Sequence, residues 1–255
     1  LMDTIINPRI LLLLLSFFII ALVIMFVPPV SQDPGYHVFA DQRNISGIPH
    51  FWNVVTNIPF LVLGIIGFFK IQKQELTGIL PDFFSAYLTF FIGLVLIGLG
   101  SGYYHLDPSN STLVGDRMAI TVTFMSFFVL IFGESISTRT ASRLLVPLLF
   151  LGISSVVYWN ITENLGKGDL RFYALVQFLP MLLIPMMLLF YGSCLSGRRW
   201  ILAIVLVYGA AKIAEMYDQQ IYELIGFSGH SLKHLIAAFG VFLFLKGFEV
   251  RKPII

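Results

Sequence analysis

Charge is what this chain has least of. Only 12% of its 255 residues are Asp, Glu, Lys or Arg, about half the ~25% usual in a soluble domain. A chain so poor in charge and 57% hydrophobic needs a bilayer as its solvent, not a larger core. No basic run or basic face occurs, which excludes a nucleic-acid partner. The net charge of +2 points to no other partner, and nothing in the sequence implies a protein partner. The single cysteine, Cys194, rules out an intrachain disulfide. It lies near Arg198 and Arg199 in a short connection and reads as a bystander thiol, because reactivity needs more than nearby charge. There is no soluble domain, low-complexity tail or clear repeat.

What is present is a series of long apolar runs. A spanning helix needs about 20 mostly apolar residues. Eight such runs cover 9–28, 51–70, 82–105, 116–136, 143–160, 170–191, 200–218 and 230–248. They predict an all-α integral membrane protein. The separators are short and carry most of the charge; only the stretch from Pro28 to His50 is long. The first run, ILLLLLSFFIIALVIMF, is preceded by Arg9 as its one positive charge and followed by VPPVSQDPG, without a small-x-small cleavage site. A retained helix is therefore expected, not a signal peptide. No run looks broken at mid-membrane, which argues against a transporter with a His/Asp relay. Trp52, Trp159 and Trp200 fall at run ends and read as interfacial anchors.

Orientation follows from Lys and Arg in the connections. One side carries Arg9, Lys70, Lys73, Arg139, Arg143, Arg198, Arg199, Lys246, Arg251 and Lys252. The other carries Arg43, Arg117, Lys167 and Arg171. Both termini are therefore expected in the cytoplasm. With alternating helices, the end of the third run and the starts of the fourth and eighth fall at the same, non-cytoplasmic end.

Those three ends hold the chemistry. GSGYYHLDPSN, Gly100 to Asn110, places Ser101 and His105 four residues apart; Asp116 follows at the start of the fourth run. SGHSLKHL, Ser228 to Leu235, places His230 and His234 four apart, which stacks them on one helix face. Three imidazoles from two helices, entering from one side, match a catalytic zinc arrangement of three His ligands and a water. Asp116 could accept the water's proton, and Ser101 could donate to the oxyanion of a tetrahedral intermediate. The plainer readings are a helix-packing Ser101, an N-capping Asp116 and histidines at headgroup level. Convergence on one end weighs against them, since ionisable residues in spanning helices are costly and tend to be functional.

The spacing S-x3-H-x10-D, followed near the C-terminus by H-x3-H, resembles the alkaline ceramidase family, within a superfamily of seven-helix membrane hydrolases that includes adiponectin-receptor-like proteins. FWNVVTN, Phe51 to Asn57, resembles the start of that family's first core helix. The resemblance implies a seven-transmembrane-helix core over residues 31–255, with one extra N-terminal transmembrane helix in residues 1–30. It implies that His105, His230 and His234 hold Zn2+, that Asp116 handles the proton and that Ser101 stabilises the reacting carbonyl. The implied reaction is hydrolysis of ceramide or a related lipid amide, with metal-activated water as nucleophile. Receptor-like members of the superfamily supply a second reading, a sensor with a structural zinc site in which Asp116 is the fourth ligand. The family's calcium cluster is not matched. Asp33, Asp41 and Asn44 offer oxygens, but His50 stands where a carboxylate belongs, and calcium wants six to eight oxygens.

Other polar residues share that end. Lys212 and Glu215, three apart, read as an ion pair, or alternatively as a contact for a substrate headgroup. Gln177 reads as an interhelical hydrogen-bonder.

Overall fold

The computed structural model describes residues 8–254, with side chains from Leu15 onward; the side chain of Arg9 lies outside the described set. The described residues form helices and no strand. They are α1 (Pro8–Phe26), α2 (Phe51–Val55), α3 (Ile58–Gln72), α4 (Phe84–Leu106), α5 (Asn110–Ser135), α6 (Thr138–Asn164), α7 (Arg171–Phe190), α8 (Arg199–Met216), α9 (Asp218–Ile225) and α10 (Gly229–Val250). Among them, six helices are long and apolar enough to cross a membrane, α2 and α3 counting as one; the number is seven if the bent pair α8–α9 is taken as one span.

Three of the differences from the expected runs have a local reason; α6 also extends past the expected 143–160 at both ends. The run at 51–70 is broken. Pro59, at the start of α3, has no N–H and disfavours helical backbone before it, so α2 stops at Val55. The run expected at 116–136 begins six residues earlier. Ser109 caps α5 by accepting from the Thr112 N–H, in a capping box with the Thr112 side chain, so Asp116 is not an N-cap. The run at 200–218 turns through 80° after Met216 into α9, which ends on Gly226 in the left-handed region, where glycine carries no Cβ penalty.

α5 is the central helix, packed against α4, α6 and α7, while α8 and α3 flank α10. Close approach needs small residues: a Cβ on Gly93 of α4 would lie 2.4 Å from Thr123 Oγ1 of α5. The core between α4, α5 and α10 is aromatic. Phe244 packs against Phe90 and Phe127 with ring centroids 5.2 and 5.1 Å apart. Val146, Phe150, Leu189 and Leu206 face outward and exposed, as a surface solvated by acyl chains requires. α1 packs on α7, and Arg171 fastens its exit by donating to the Val27 carbonyl and to Asp169.

The end away from the histidines is latched by a buried ion pair. Glu134, at the end of α5, accepts from Arg251, just past α10, and both side chains are buried. Arg251 Nε also donates to the Ser196 carbonyl. Cys194 sits in this latch, and burial pushes its thiol up, as suits a bystander.

Removing one partner of such a pair leaves a buried, uncompensated charge. Glu134→Ala should lower unfolding stability in detergent by about 3–5 kcal/mol, and the double variant Glu134→Leu, Arg251→Met should recover most of it. The hydrogen bond from Arg171 holds the Asp169 carboxyl down at about 2, below the ~3.9 of an unfolded chain. Its stabilisation is therefore complete above about pH 4 and lost as pH falls toward 2. Asp169→Asn should flatten that limb of an acid-unfolding curve.

Candidate metal centre

His105 ends α4, and His230 and His234 occupy the first two turns of α10. All three are buried, and one ring nitrogen from each lies within 4.8 Å of the others. Nε2 of His105 and Nε2 of His230 are 3.3 Å apart. Two nitrogens on a tetrahedral ion with bonds of 2.0–2.1 Å stand about 3.3 Å apart, so this edge already has the required length.

Polar neighbours hold the outer edges of the rings. Thr56 Oγ1 donates to the Trp52 carbonyl at 2.6 Å, and its lone pair meets His234 Nδ1 at 3.0 Å. A hydroxyl has one proton. With that proton spent on the carbonyl, the Thr56 oxygen faces His234 Nδ1 as an acceptor, an arrangement that suits the tautomer with a bare Nε2. Asn57 Nδ2, which has two protons, donates to the Asn53 carbonyl at 2.7 Å and lies 3.3 Å from the same Nδ1. The Lys233 ammonium lies 3.0 Å from His230 Nε2. It also lies 3.5 Å from His230 Nδ1 and is ion-paired with Glu215 at 2.8 Å. His105 Nδ1 is buried without a hydrogen-bond partner among the described residues. Three buried imidazoles with one ring nitrogen each gathered within 4.8 Å are a donor set that fits zinc.

The break between α2 and α3 builds this shell. It frees Thr56 and Asn57 to turn toward His234, while Asn53 Oδ1 accepts from Ser231 Oγ at 2.6 Å and from Ser228 Oγ at 3.4 Å. Ser228 caps α10. Asp218, at the bend, ties the start of α10 to the long connection after α1: Oδ1 accepts from the His230 N–H and Oδ2 from the Ala40 N–H. A Cβ on Gly229 would lie 2.2 Å from the Ala214 carbonyl oxygen, so only glycine lets α10 start this close to α8. Phe39 closes the outside, its ring 4.7 Å from His105 and 4.5 Å from His230. His50 donates to the His105 carbonyl.

Asp116 and Ser101 are buried and line a cavity of about 500 Å³ that also reaches His234. Ser101 and Asp116 face this one cavity from α4 and α5. Asp116 is not among the side chains whose ligand atoms gather within 4.8 Å. From this polar end the cavity continues between apolar walls. Phe90, fifteen residues before His105, and Phe127, eleven after Asp116, both line it; at 1.5 Å per residue the walls run about 16–22 Å deep. The volume falls inside the ~300–1,000 Å³ of small-molecule pockets.

Lys212 and Lys233 share Glu215, at 2.6 and 2.8 Å, and all three line the cavity. Gln177 lines it too. Asp41 is held by Arg43. Burial alone would raise the Asp41 carboxyl, but that guanidinium keeps it below the ordinary carboxylate range. Asp33 caps a turn through the Gly35 N–H. Trp159, expected at an interface, is instead fully buried and stacked on Arg117, 4.0 Å from its guanidinium.

A family model described as Ceramidase matches residues 45–252, most of the chain. No curated protein sequence matches the chain.

Partners that orient a metal-bound histidine are typically worth 10–100-fold in affinity. Thr56→Val should therefore weaken zinc binding by about 10–100-fold in competition with a chelator, and His230→Ala should abolish stoichiometric metal in the purified protein.

Proposed function

The chain belongs to the ceramidase family, and from that premise we propose that it is a zinc-dependent hydrolase of the amide bond in ceramide or a related lipid amide. The observation that carries this reading is the junction of a three-imidazole centre with a long apolar cavity. One end offers reactive polar groups and the other a wall of Phe, Leu and Ile. A lipid amide has the same division: a long acyl chain, then one polar bond to be cut.

His105, His230 and His234 would hold the ion. A zinc ion supplies Lewis acidity, which polarises a carbonyl and acidifies water. Asp116, buried beside Ser101, takes the proton of the attacking water and returns it to the departing amine. Ser101 donates a hydrogen bond to the carbonyl oxygen as charge gathers there. The water oxygen joins the acyl carbon, the C–N bond breaks, and the products are a fatty acid and a free amine. Apolar walls exclude bulk water, which makes each of these electrostatic contacts stronger than in solution.

In this reading α1 is an extra helix, within residues 1–30, ahead of a seven-helix core in residues 31–255. The core spans are α2–α3, α4, α5, α6, α7, α8–α9 and α10. Both termini face the cytoplasm, and the site opens toward the other side. The sensor reading needs a fourth protein ligand, and Asp116 stands outside the imidazole cluster, which favours an open position.

Asp116→Asn should cost about 10²–10⁴-fold in fatty-acid release from ceramides by the purified protein, and Ser101→Ala about 10²–10³-fold. Undiminished release by Asp116→Asn would remove the assigned proton carrier. No release from any N-acyl lipid by folded, metal-loaded protein would overturn the hydrolase reading.

A further inference from the structure

Next to Asp116 on α5 stands a cation without a counter-ion. Arg117 is buried and lines the cavity. Among the described residues no carboxylate lies within salt-bridge distance of it. The other buried arginine, Arg251, has Glu134, and Arg171 has Asp169. Arg117 Nη2 donates to the Gln32 amide oxygen, while Nη1 is buried without a hydrogen-bond partner. Its guanidinium is stacked 4.0 Å from the Trp159 ring and 4.7 Å from the Tyr173 ring. Glu163, the acid on the Trp159 side, accepts instead from Trp159 Nε1 and from the Gln32 N–H. It fixes the cage and forms no ion pair with the guanidinium, whose charge acts at longer range on Asp116.

A buried charge without a partner is costly. Stacking holds the guanidinium in place but does not satisfy its N–H groups. An arginine fixed in this way, lining a cavity and with Nη1 buried and unpartnered, is preorganised for an oxyanion. Its place in the cavity indicates which part of a ligand would bring one. Arg117 is one residue from the proposed proton carrier and far from the deep apolar walls at Phe90 and Phe127. An acyl chain lying along those walls puts the amide at Asp116 and the amine part beyond it, toward Arg117, Gln32 and Tyr36.

We infer that Arg117 binds an anionic oxygen group carried on the amine part of the substrate, so that the lipid amides turned over best are N-acyl amines with an acidic headgroup. This rests on the hydrolase reading above. A charge-assisted hydrogen bond of this kind corresponds to about 10–100-fold in affinity.

The test compares an N-acyl amino acid with its methyl ester, the acyl chain being the same, on purified full-length protein. The free acid should be preferred by about 10–100-fold in kcat/KM, mostly through KM. Arg117→Gln should bring the ratio toward one, and Arg117→Lys should restore part of it. Gln32→Ala, which leaves the guanidinium in place, should shift the ratio in the same direction by less, and it serves if Arg117→Gln does not fold. An equal rate on acid and ester in the wild type overturns the inference while leaving the hydrolase reading intact. So does a ratio unmoved by Arg117→Gln, or an effect confined to inhibition by released fatty acid, which would make the anion the product carboxylate. Binding of an uncleavable N-alkyl amino acid, followed by the fluorescence of Trp159 against Arg117, is independent of turnover. Arg117-dependent binding without hydrolysis of either amide would support the anion site and sink the hydrolase; absence of binding would sink the anion site.

Discussion

Three imidazoles buried together set the terms for the rest of the molecule. Each brings one N–H and one lone pair into a place where water does not satisfy them, and an unmet polar group there costs free energy. The lone pairs converge inward, with His230 and His105 only 3.3 Å apart. That arrangement is favourable when a cation sits among them, as the metal-ion reading requires. The outer nitrogens then need acceptors, and Thr56 on the α2–α3 break supplies one for His234. Asn53, Ser228, Ser231 and Asp218 hold the backbone that presents the rings. A cluster of conventional helix-packing residues at this end would require none of these.

The cavity extends the same logic along the bundle. Its mouth is built from ionisable and amide groups, and its depth from phenylalanine and aliphatic side chains. A wholly polar ligand would leave the walls unfilled, and a hydrocarbon would leave Asp116 and Arg117 unpartnered. An amphiphile with a cleavable bond near its polar end satisfies both. The aromatic core that shapes the walls, through Phe90, Phe127 and Phe244, also packs α4, α5 and α10 together, so the helices carrying the histidines and Asp116 are fixed by the walls of the cavity they open onto.

Much of this was legible in the sequence because it depends on periodicity and parity. Apolar runs at helical length mark the helices, and counting runs between His105 and His234 puts both at one end. The shell was harder to see. Asn53, Thr56 and Asn57 interrupt an apolar run at helical spacing, which marks them as inward-facing, but Pro59 had to be read as a break before their target could be found. Asp218 reads as a helix end until the 80° bend places it between Ala40 and His230. Arg117 read as a charge in a connection. Only the earlier start of α5, set by Ser109, carries it inside, and only the fold brings Trp159 and Tyr173 against it. Phe39 lies in the one long connection, where no periodicity exists to place it.

The central claim is an ion held by three imidazoles with its fourth position left open to the cavity. X-ray absorption at the zinc edge of the purified, zinc-loaded protein tests it most directly. Three imidazole nitrogens at about 2.0–2.1 Å, with a fourth light ligand that is exchanged by an added metal-binding inhibitor, are the predicted result. Four protein ligands unaffected by the inhibitor, or a zinc environment unchanged in His105→Ala, would contradict it.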